Sequence, residues 1–297
     1  MDKLLKKGHR YKIIIHLIYI ILCLCYIFPL LLVISASFSS ESALLQDGFS
    51  LIPKEFSTEA YAAAFSNSKR VLRAYAVTIG STGLGTLIAL ISAGLTAYAL
   101  SRTNFAYKNF VSFVVFFSML FSGGSIPTYI IFSKYYKLAD SFWIYVLPAI
   151  SGGAWNILMM KSFLGGIPES LFESAKIDGA SEFVNFAKIA VPLSKPVLAT
   201  VGFMEIVARW NNWNTSYVYI RNHHLYTLQY LLQQILNNTK LIKEMAALGA
   251  SMSGQVALPS ESLKYALCVI AAGPMLLVFP FFQKYFVKGT TIGAVKG

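Results

Sequence analysis

Six long apolar stretches, separated by polar segments, dominate the pattern of hydrophobic and polar positions along this chain. Each is about 20 residues or longer, which is the length that an α-helix needs to cross a bilayer. The stretches are Ile13–Val33, Ala74–Leu100, Phe110–Phe132, Phe142–Phe163, Ile189–Trp210 and Leu263–Phe286. The pattern predicts an all-α, polytopic membrane protein with six transmembrane helices, which form a single transmembrane domain over residues 1–297.

The polar segments between these stretches predict how the chain is oriented. Lys and Arg collect in the flanks that stay in the cytoplasm, and five of them lie among the first 12 residues. We therefore expect both termini in the cytoplasm, with 14 Lys and Arg inside and 11 outside. The two longest polar segments, residues 35–73 and 211–262, become extracytoplasmic loops. Within them we expect helices at Ser57–Phe65, capped by Ser57, and at Leu225–Leu236.

Composition supports a membrane protein and narrows its chemistry. Only 13% of the 297 residues are charged and the mean hydropathy is +0.59, whereas soluble domains carry about 25% charged residues. The net charge of +12 does not indicate a nucleic-acid partner, because the basic residues flank the apolar stretches. Cys23, Cys25 and Cys268 all lie within these stretches, which favours small packing residues over a disulfide or metal site.

The polar segment between the fourth and fifth stretches, about residues 165–192, has the pattern of two short helices joined by a turn. Pro168 suits the first position of a helix, and Gly179 suits the left-handed position that ends it. Ser181 is suited to cap the next helix. Glu173 and Lys176 are three residues apart, which allows an ion pair on one helical face. The sequence predicts a helix–turn–helix that lies against the membrane.

This segment resembles the cytoplasmic coupling loop of bacterial ABC-type importers. The family signature is Glu-Ala-Ala, three residues, Gly, nine residues, Ile, one residue and Leu-Pro, and this chain departs from it at Ser174 and Val191. The resemblance implies that the loop couples the chain to a separate ATPase. Its candidate coupling residues are Glu173, Ser174, Ala175, Asp178, Gly179, Ile189 and Pro192.

Further segments are similar to carbohydrate-importer permeases of the maltose-type superfamily, whose inner-membrane components depend on a binding protein. Within it, the chain resembles the branch that takes up oligosaccharides and pairs with lipoprotein binding proteins. These segments are Thr96–Arg102, Ile126–Tyr129, Phe163–Pro168, Trp210–Trp213 and Phe286–Gly297. The resemblance implies the type I ABC importer permease fold, location in the bacterial cytoplasmic membrane, and carbohydrate transport by alternating access.

The resemblance also implies the partners. They are a second permease subunit, expected to be a different chain, two ATPase subunits, and an extracellular sugar-binding protein or lipoprotein. ATP and Mg²⁺ are then bound by the ATPase subunits. This chain contains no Gly-x-x-x-x-Gly-Lys-Ser/Thr phosphate loop, so we expect it to bind no cofactor and to have no enzyme activity.

The fifth stretch and the residues after it supply a candidate substrate pathway. Glu205 and Arg209 are four residues apart on one helical face, and charges inside a membrane face the protein interior or water. They form either a structural ion pair or part of the pathway. Aromatic and amide side chains follow and suit either a sugar path or an aromatic belt at the membrane surface. They are Trp210, Asn211, Asn212 and Trp213.

Other functions fit the residues less well. An ion-coupled secondary transporter needs carboxylates near the middle of the membrane, and Glu205 is the one candidate. A membrane enzyme needs a metal cluster or a nucleophile beside a base, which the four histidines do not offer. An ABC importer for another small solute remains the alternative. The resemblance to maltose-type permeases also implies that residues Lys240–Pro259 contact the docked binding protein.

Overall fold

The structure is a computed structural model that describes residues 2–66, 68–247 and 261–293. No strand occurs in these ranges, which confirms the all-α prediction. The helices are α1 (Asp2–Ser37), α2 (Glu41–Gln46), α3 (Glu59–Ser66), α4 (Ser68–Ser101), α5 (Lys108–Leu120), α6 (Ser125–Ile130), α7 (Ala154–Leu164), α8 (Glu169–Ile177), α9 (Glu182–Asn185), α10 (Val191–Leu193), α11 (Lys195–Trp210), α12 (Asn214–Tyr219), α13 (Leu228–Ala247) and α14 (Glu261–Gly293). Short π-helical or 3₁₀ turns occupy Ile131–Tyr135, Phe142–Tyr145, Leu147–Ser151, Phe186–Ala190 and His223–Leu225.

Three helical segments are continuous, long and apolar enough to cross a membrane: Ile14–Ser37 in α1, Lys69–Ser101 in α4, and Glu261–Lys284 in α14. The other three predicted stretches are helix pairs bent at a short break, by 110° near residues 121–124, 41° near 152–153 and 82° near 194. The described residues therefore contain three membrane helices, or up to six if each bent pair counts as one span.

The breaks fall where the sequence interrupts the helix. The first contains Gly123 and Gly124, the second is Gly152 and Gly153, and the third, at Ser194, lies between two prolines. Proline lacks the amide hydrogen that a continuing helix needs, and glycine adopts backbone conformations closed to other residues. A hydropathy pattern records apolar length alone, so it predicts a straight span across each of these bends.

The chain divides into two compact units. The first consists of residues 1–68 and 234–273. Here α3 begins at Glu59, two residues later than the sequence predicts, and the Ser57 hydroxyl accepts from the Glu59 backbone amide at 3.2 Å. The Glu41 carboxylate accepts hydrogen bonds from the backbone amides of Glu261 and Ser262 at 2.8 and 3.0 Å. It thereby caps the start of α14, where backbone donors have no helical partner.

The second unit consists of residues 69–233 and 274–297 and is built around α4. Small side chains on α4, including Ala93 and Ala97, are fully buried and let α7, α8 and α11 approach closely. The other buried members of this core are Tyr98, Leu100, Ile157, Met160, Leu164, Phe172, Ala190, Val197 and Val201. The second unit contains both candidate sites, one at the C-terminal end of α4 and one beside its middle.

Candidate coupling loop and polar cluster

The coupling loop, residues 165–192, forms the helix–turn–helix that its sequence predicts. α8 begins at Glu169, so Pro168 lies one residue before the helical position predicted for it. The helix ends at Ile177, and Gly179 follows with a φ of +83°. The Ala180 amide bonds to the Ala175 carbonyl at 2.9 Å, and the Gly179 amide to the Lys176 carbonyl at 3.0 Å. These two bonds form the helix ending for which glycine is preferred. The turn leads into α9, where the Ser181 hydroxyl accepts from the Val184 amide at 3.4 Å.

The C-terminal end of α4 holds this loop through Arg102. Its guanidinium carbon lies 3.8 Å from the centroid of the Phe172 ring and 5.2 Å from that of Tyr98. The same group donates to the Glu169 carboxylate and to the Leu164 carbonyl, each at 3.3 Å. Arg102 and Phe172 are both buried, so the cation is paired and stacked away from water, where such contacts are strongest.

A second connection runs through Glu182. Tyr98 donates its hydroxyl to this carboxylate at 2.8 Å, and Lys176 pairs with it at 2.7 Å. The sequence allowed an ion pair between Lys176 and Glu173, and the structure shows that Lys176 bonds to Glu182 instead. The turn at Gly179 folds α9 back toward α8, which brings that carboxylate within reach. α4, α8 and α9 are therefore joined by charged hydrogen bonds at one end of the second unit.

The outer face of the coupling loop is left uncovered. Ile177 is 87% exposed and Phe183 is 70% exposed, at the two sides of the turn. Of the candidate coupling residues, the exposed ones are Glu173, Ser174, Asp178, Gly179 and Pro192, and the half-buried ones are Ala175 and Ile189. Exposed apolar side chains rimmed by polar ones are typical of a surface that binds another protein.

Glu205 and Arg209 form a compact polar cluster beside the middle of α4. Arg209 Nε donates to Glu205 at 2.8 Å, and the Asn156 amide donates to the other oxygen of that carboxylate at 2.7 Å. Arg209 Nη1 also donates to the Tyr145 carbonyl at 3.1 Å. A side chain at Gly85 would collide with this guanidinium, because an added Cβ would lie 2.5 Å from Nη1. The pair is thus hydrogen-bonded to two other elements and packed closely against a third, α4.

The structure separates the four residues that follow into different roles. Trp210 is buried and packs against Tyr75 with ring centroids 6.5 Å apart. Asn211 donates to the Val207 carbonyl at 2.9 Å and so ends α11, while Asn212 accepts from the Thr215 amide at 3.0 Å and so begins α12. Trp213 is partly exposed.

Sequence reasoning assigned no role to several residues that shape these sites. Tyr98 and Arg102 lie in the quoted segment Thr96–Arg102, so the resemblance singled out the motif without showing what it contacts. Asn156 gave no signal, since it belongs to no recognisable pattern, and Gly85 is one of several small residues in the second apolar stretch, which indicate only close helix packing. Among the described residues no group of three or more His, Cys, Asp or Glu side chains is placed to hold a metal ion. Of the proposed docking segment, residues 248–259 lie outside the described residues.

Comparison with known proteins identifies the family. The family model described as the binding-protein-dependent transport system inner membrane component matches residues 81–292, which include both candidate sites. The chain belongs to this family. It is therefore a multi-pass membrane protein of the ABC transporter permease type, and the resemblance seen in the coupling loop is confirmed at the level of the family.

Relatives of this family with assigned substrates extend over nearly the whole chain. One is the polygalacturonan/rhamnogalacturonan transport system permease protein YtcP of Bacillus subtilis (strain 168), which is 36% identical over 98% of this chain and 100% of its own length. Another is the arabinooligosaccharides transport system permease protein AraQ of the same organism, 26% identical over 97% of this chain and 96% of its own.

A solved structure matches the fold. It is a bacterial ABC transporter involved in the import of the acidic polysaccharide alginate, with a TM-score of 0.79 and 28% sequence identity. The match covers 93% of this chain and 96% of the other. The helical architecture, with its bent spans, is therefore that of an ABC importer permease.

Proposed function

We propose that this chain is the permease subunit of an ATP-driven importer that moves carbohydrate, most specifically an oligosaccharide, across the cytoplasmic membrane. The observation that carries the proposal is the coupling loop. Arg102 holds its buried face against the end of α4, and its other face is exposed at Ile177 and Phe183. The carbohydrate relatives over the full chain support the substrate class.

The coupling loop suits the transfer of movement from an ATPase. A partner that binds the exposed face of α8 and α9 moves the end of α4 with it, because Arg102 and Tyr98 connect α4 to these two helices by short polar contacts. In the proposed cycle, ATP binding draws two ATPase subunits together and opens the permease toward an extracellular sugar-binding protein or lipoprotein. Hydrolysis then restores the inward-facing arrangement. ATP must bind the two arrangements with different affinity for this to work.

The rest of the assembly follows from the same proposal. A second permease subunit, a different chain, completes the pathway, and the ATPase subunits bind ATP and Mg²⁺. The membrane orientation places residues 165–192 in the cytoplasm and residues 35–73 and 211–262 outside. The candidate coupling residues are those named in the sequence, and the exposed members of the candidate pathway are Asn211, Asn212 and Trp213.

Purification of the intact complex tests the proposal. We expect the ATPase subunits to copurify with this chain and reconstituted vesicles to take up sugar only when ATP and the binding protein are present. An ion-coupled secondary transporter would instead take up its solute without ATP, driven by an ion gradient. Uptake without ATP, in a preparation free of any ATPase subunit, would refute the proposal.

A further inference from the structure

The end of α4 opposite the coupling loop carries an excess of positive charge. The 30 residues from Arg73 to Arg102 extend about 44 Å at the rise of an α-helix. Exposed cations lie on the first turns of α4 and on the segments around Asp140 and His224. We call this group, together with His223 and His224, the basic end; its cations are Lys69, Arg70, Arg73, Lys134, Lys137 and Arg221.

Little negative charge from the second unit lies around Lys134, Lys137 and Arg221 in the part of the chain that the structure describes. Asp140 is the one carboxylate of the second unit found there among the described residues, and it accepts from the backbone amides of Arg221 and Asn222 at 3.0 and 2.7 Å. Within the same described part of the chain, no carboxylate pairs with Lys134, Lys137 or Arg221. The charge of these side chains is therefore available to an anion that arrives from solution.

Hydrogen bonds to neighbouring elements hold in place the loop that presents these groups. Tyr145 donates its hydroxyl to the Leu225 carbonyl at 2.8 Å and shares a hydrogen bond of 2.7 Å with Ser216. The Leu228 amide donates to the Thr78 hydroxyl of α4 at 2.9 Å. In addition, Arg73 contacts the His224 ring, and the ring centroids of His223 and His224 are 4.0 Å apart. A cationic surface that is fixed beforehand loses less entropy when it binds a ligand.

Aromatic rings continue from the basic end. The Tyr226 hydroxyl donates to the Arg221 carbonyl at 3.2 Å, and its ring lies 4.7 Å from that of Tyr230. The ring centroid of Tyr217 lies 6.4 Å from that of Tyr230, and the ring centroid of Trp213 lies 5.9 Å from that of Tyr217. Tyr217 is 64% exposed. The flat faces of such rings match the C–H faces of pyranose sugars, and a row of four suits an oligomer better than a monosaccharide.

We propose that the basic end and this row of rings bind an acidic oligosaccharide, with Arg73 and Arg221 holding its carboxylates. This inference rests on the proposed function and specifies its substrate class. Arginine presents a planar fork of donors that fits a carboxylate. In the proposed orientation these cations lie outside the membrane, against the usual bias of Lys and Arg toward the cytoplasm. Binding an anion accounts for that departure, and the adjoining rings favour sugar over the acidic surface of a protein.

Direct binding to the purified complex tests the inference. The complex of this chain with its permease and ATPase partners, in nanodiscs without the binding protein, is titrated calorimetrically at low salt. The two probes are trigalacturonate and galactotriose, which has the same rings with neutral alcohols in place of the carboxylates. We expect trigalacturonate to bind at least about 10-fold more tightly, since the carboxylate–guanidinium bonds are charge-assisted.

Variants show which residues are responsible. The double substitution Arg73→Gln and Arg221→Gln is expected to reduce the preference for trigalacturonate to about 2-fold or less and to leave galactotriose binding unchanged. Lys195→Gln, at an exposed cation at the start of α11, retains the full preference. The inference is overturned by equal affinities in the unaltered complex or by a preference that survives the double substitution. ATP-dependent uptake by the unaltered complex tests the proposed function separately.

Discussion

Arg102 shows how one side chain can define a joint between two parts of a membrane protein. It is stacked on Phe172 and bonded to Glu169 and the Leu164 carbonyl. A buried cation is tolerated only when it is paired and its donors are satisfied, and here the partners lie on both sides: Ser101 and Tyr98 on α4, and the three just named in, or directly before, the coupling loop. Loss of the guanidinium would remove one of the two polar connections between the loop and α4 and leave the bond from Tyr98 to Glu182 in place.

The substitution Arg102→Ala is expected to uncouple ATP hydrolysis from transport. Each hydrogen bond to a charged group contributes about 1.5–3 kcal/mol, so the joint loosens while the apolar core remains. In reconstituted complexes, ATP hydrolysis should persist and sugar uptake should fall by about 10-fold or more. Arg102→Lys keeps the charge and should restore part of the uptake. Unchanged uptake per ATP hydrolysed in the alanine variant would contradict this role.

Gly85 provides a second, independent test at the scale of one residue. Its missing side chain makes room for the Arg209 guanidinium, whereas nothing lies within 4 Å of a Cβ added at Gly83 on the same helix. Gly85→Ala forces Arg209 away from Glu205 and the Tyr145 carbonyl, and leaving such groups unpaired costs about 1–3 kcal/mol.

We therefore expect Gly85→Ala to lower the thermal unfolding temperature of the complex by several degrees, and Gly83→Ala to preserve or raise it. Differential scanning fluorimetry in detergent measures both. Equal unfolding temperatures for the two alanine variants would show that the position of Arg209 contributes nothing to stability.

The sequence predicted helical elements more reliably than their shape. Gly179 and Ser181 gave the correct turn because helix caps are local and depend on a few adjacent residues. The bends near Gly123 and Gly152 were missed because apolar length carries no information on direction. The network around Glu205 was predicted only as an ion pair, since its other partners, Asn156 and the Tyr145 carbonyl, come from distant segments that only tertiary packing brings together.

The exposed face of α8 and α9 makes a prediction at the scale of these elements. The double substitution Ile177→Ser and Phe183→Ser removes apolar area that is already in water, so folding should be unaffected. If an ATPase covers that area, the double variant loses about 25 cal/mol of binding free energy for each Å² of apolar surface that is no longer buried. The ATPase should then no longer copurify in stoichiometric amount. Tyr107→Ser changes a similarly exposed ring before α5 and should leave copurification intact. Retention of the ATPase by the double variant would exclude this face as its binding surface.

At the scale of the whole molecule, the two ends of the second unit differ in chemistry. One end holds the acidic residues of the coupling loop, Glu169, Glu173, Asp178 and Glu182, and the other holds the basic end. The membrane orientation that the sequence predicts puts the first in the cytoplasm. The distribution of Lys and Arg favours this orientation only weakly, since 11 of the 25 lie outside in it. The excess on the cytoplasmic side comes from the cluster at the N-terminus.

Labelling of single cysteines in intact cells decides the orientation. In a chain with Cys23, Cys25 and Cys268 replaced by alanine, Ser181→Cys should react with a membrane-impermeant maleimide only after the cells are opened. Asn222→Cys should react without that treatment. Both positions are exposed, so access to reagent, and not burial, determines the result. The reverse pattern would invert the orientation and place the coupling loop out of reach of ATP.

The unbroken length of α4 has a mechanical consequence. Unlike the bent spans, it is helical without a break from Arg73 to Ser101, directly before Arg102, so a rotation imposed at one end is not absorbed by a hinge along the way. Over about 44 Å, a tilt of about 5° displaces the far end by about 4 Å. In the proposed function, α4 therefore acts as a lever arm. A small movement of the ATPase near Arg102 becomes a displacement of atomic size at the end where the substrate arrives.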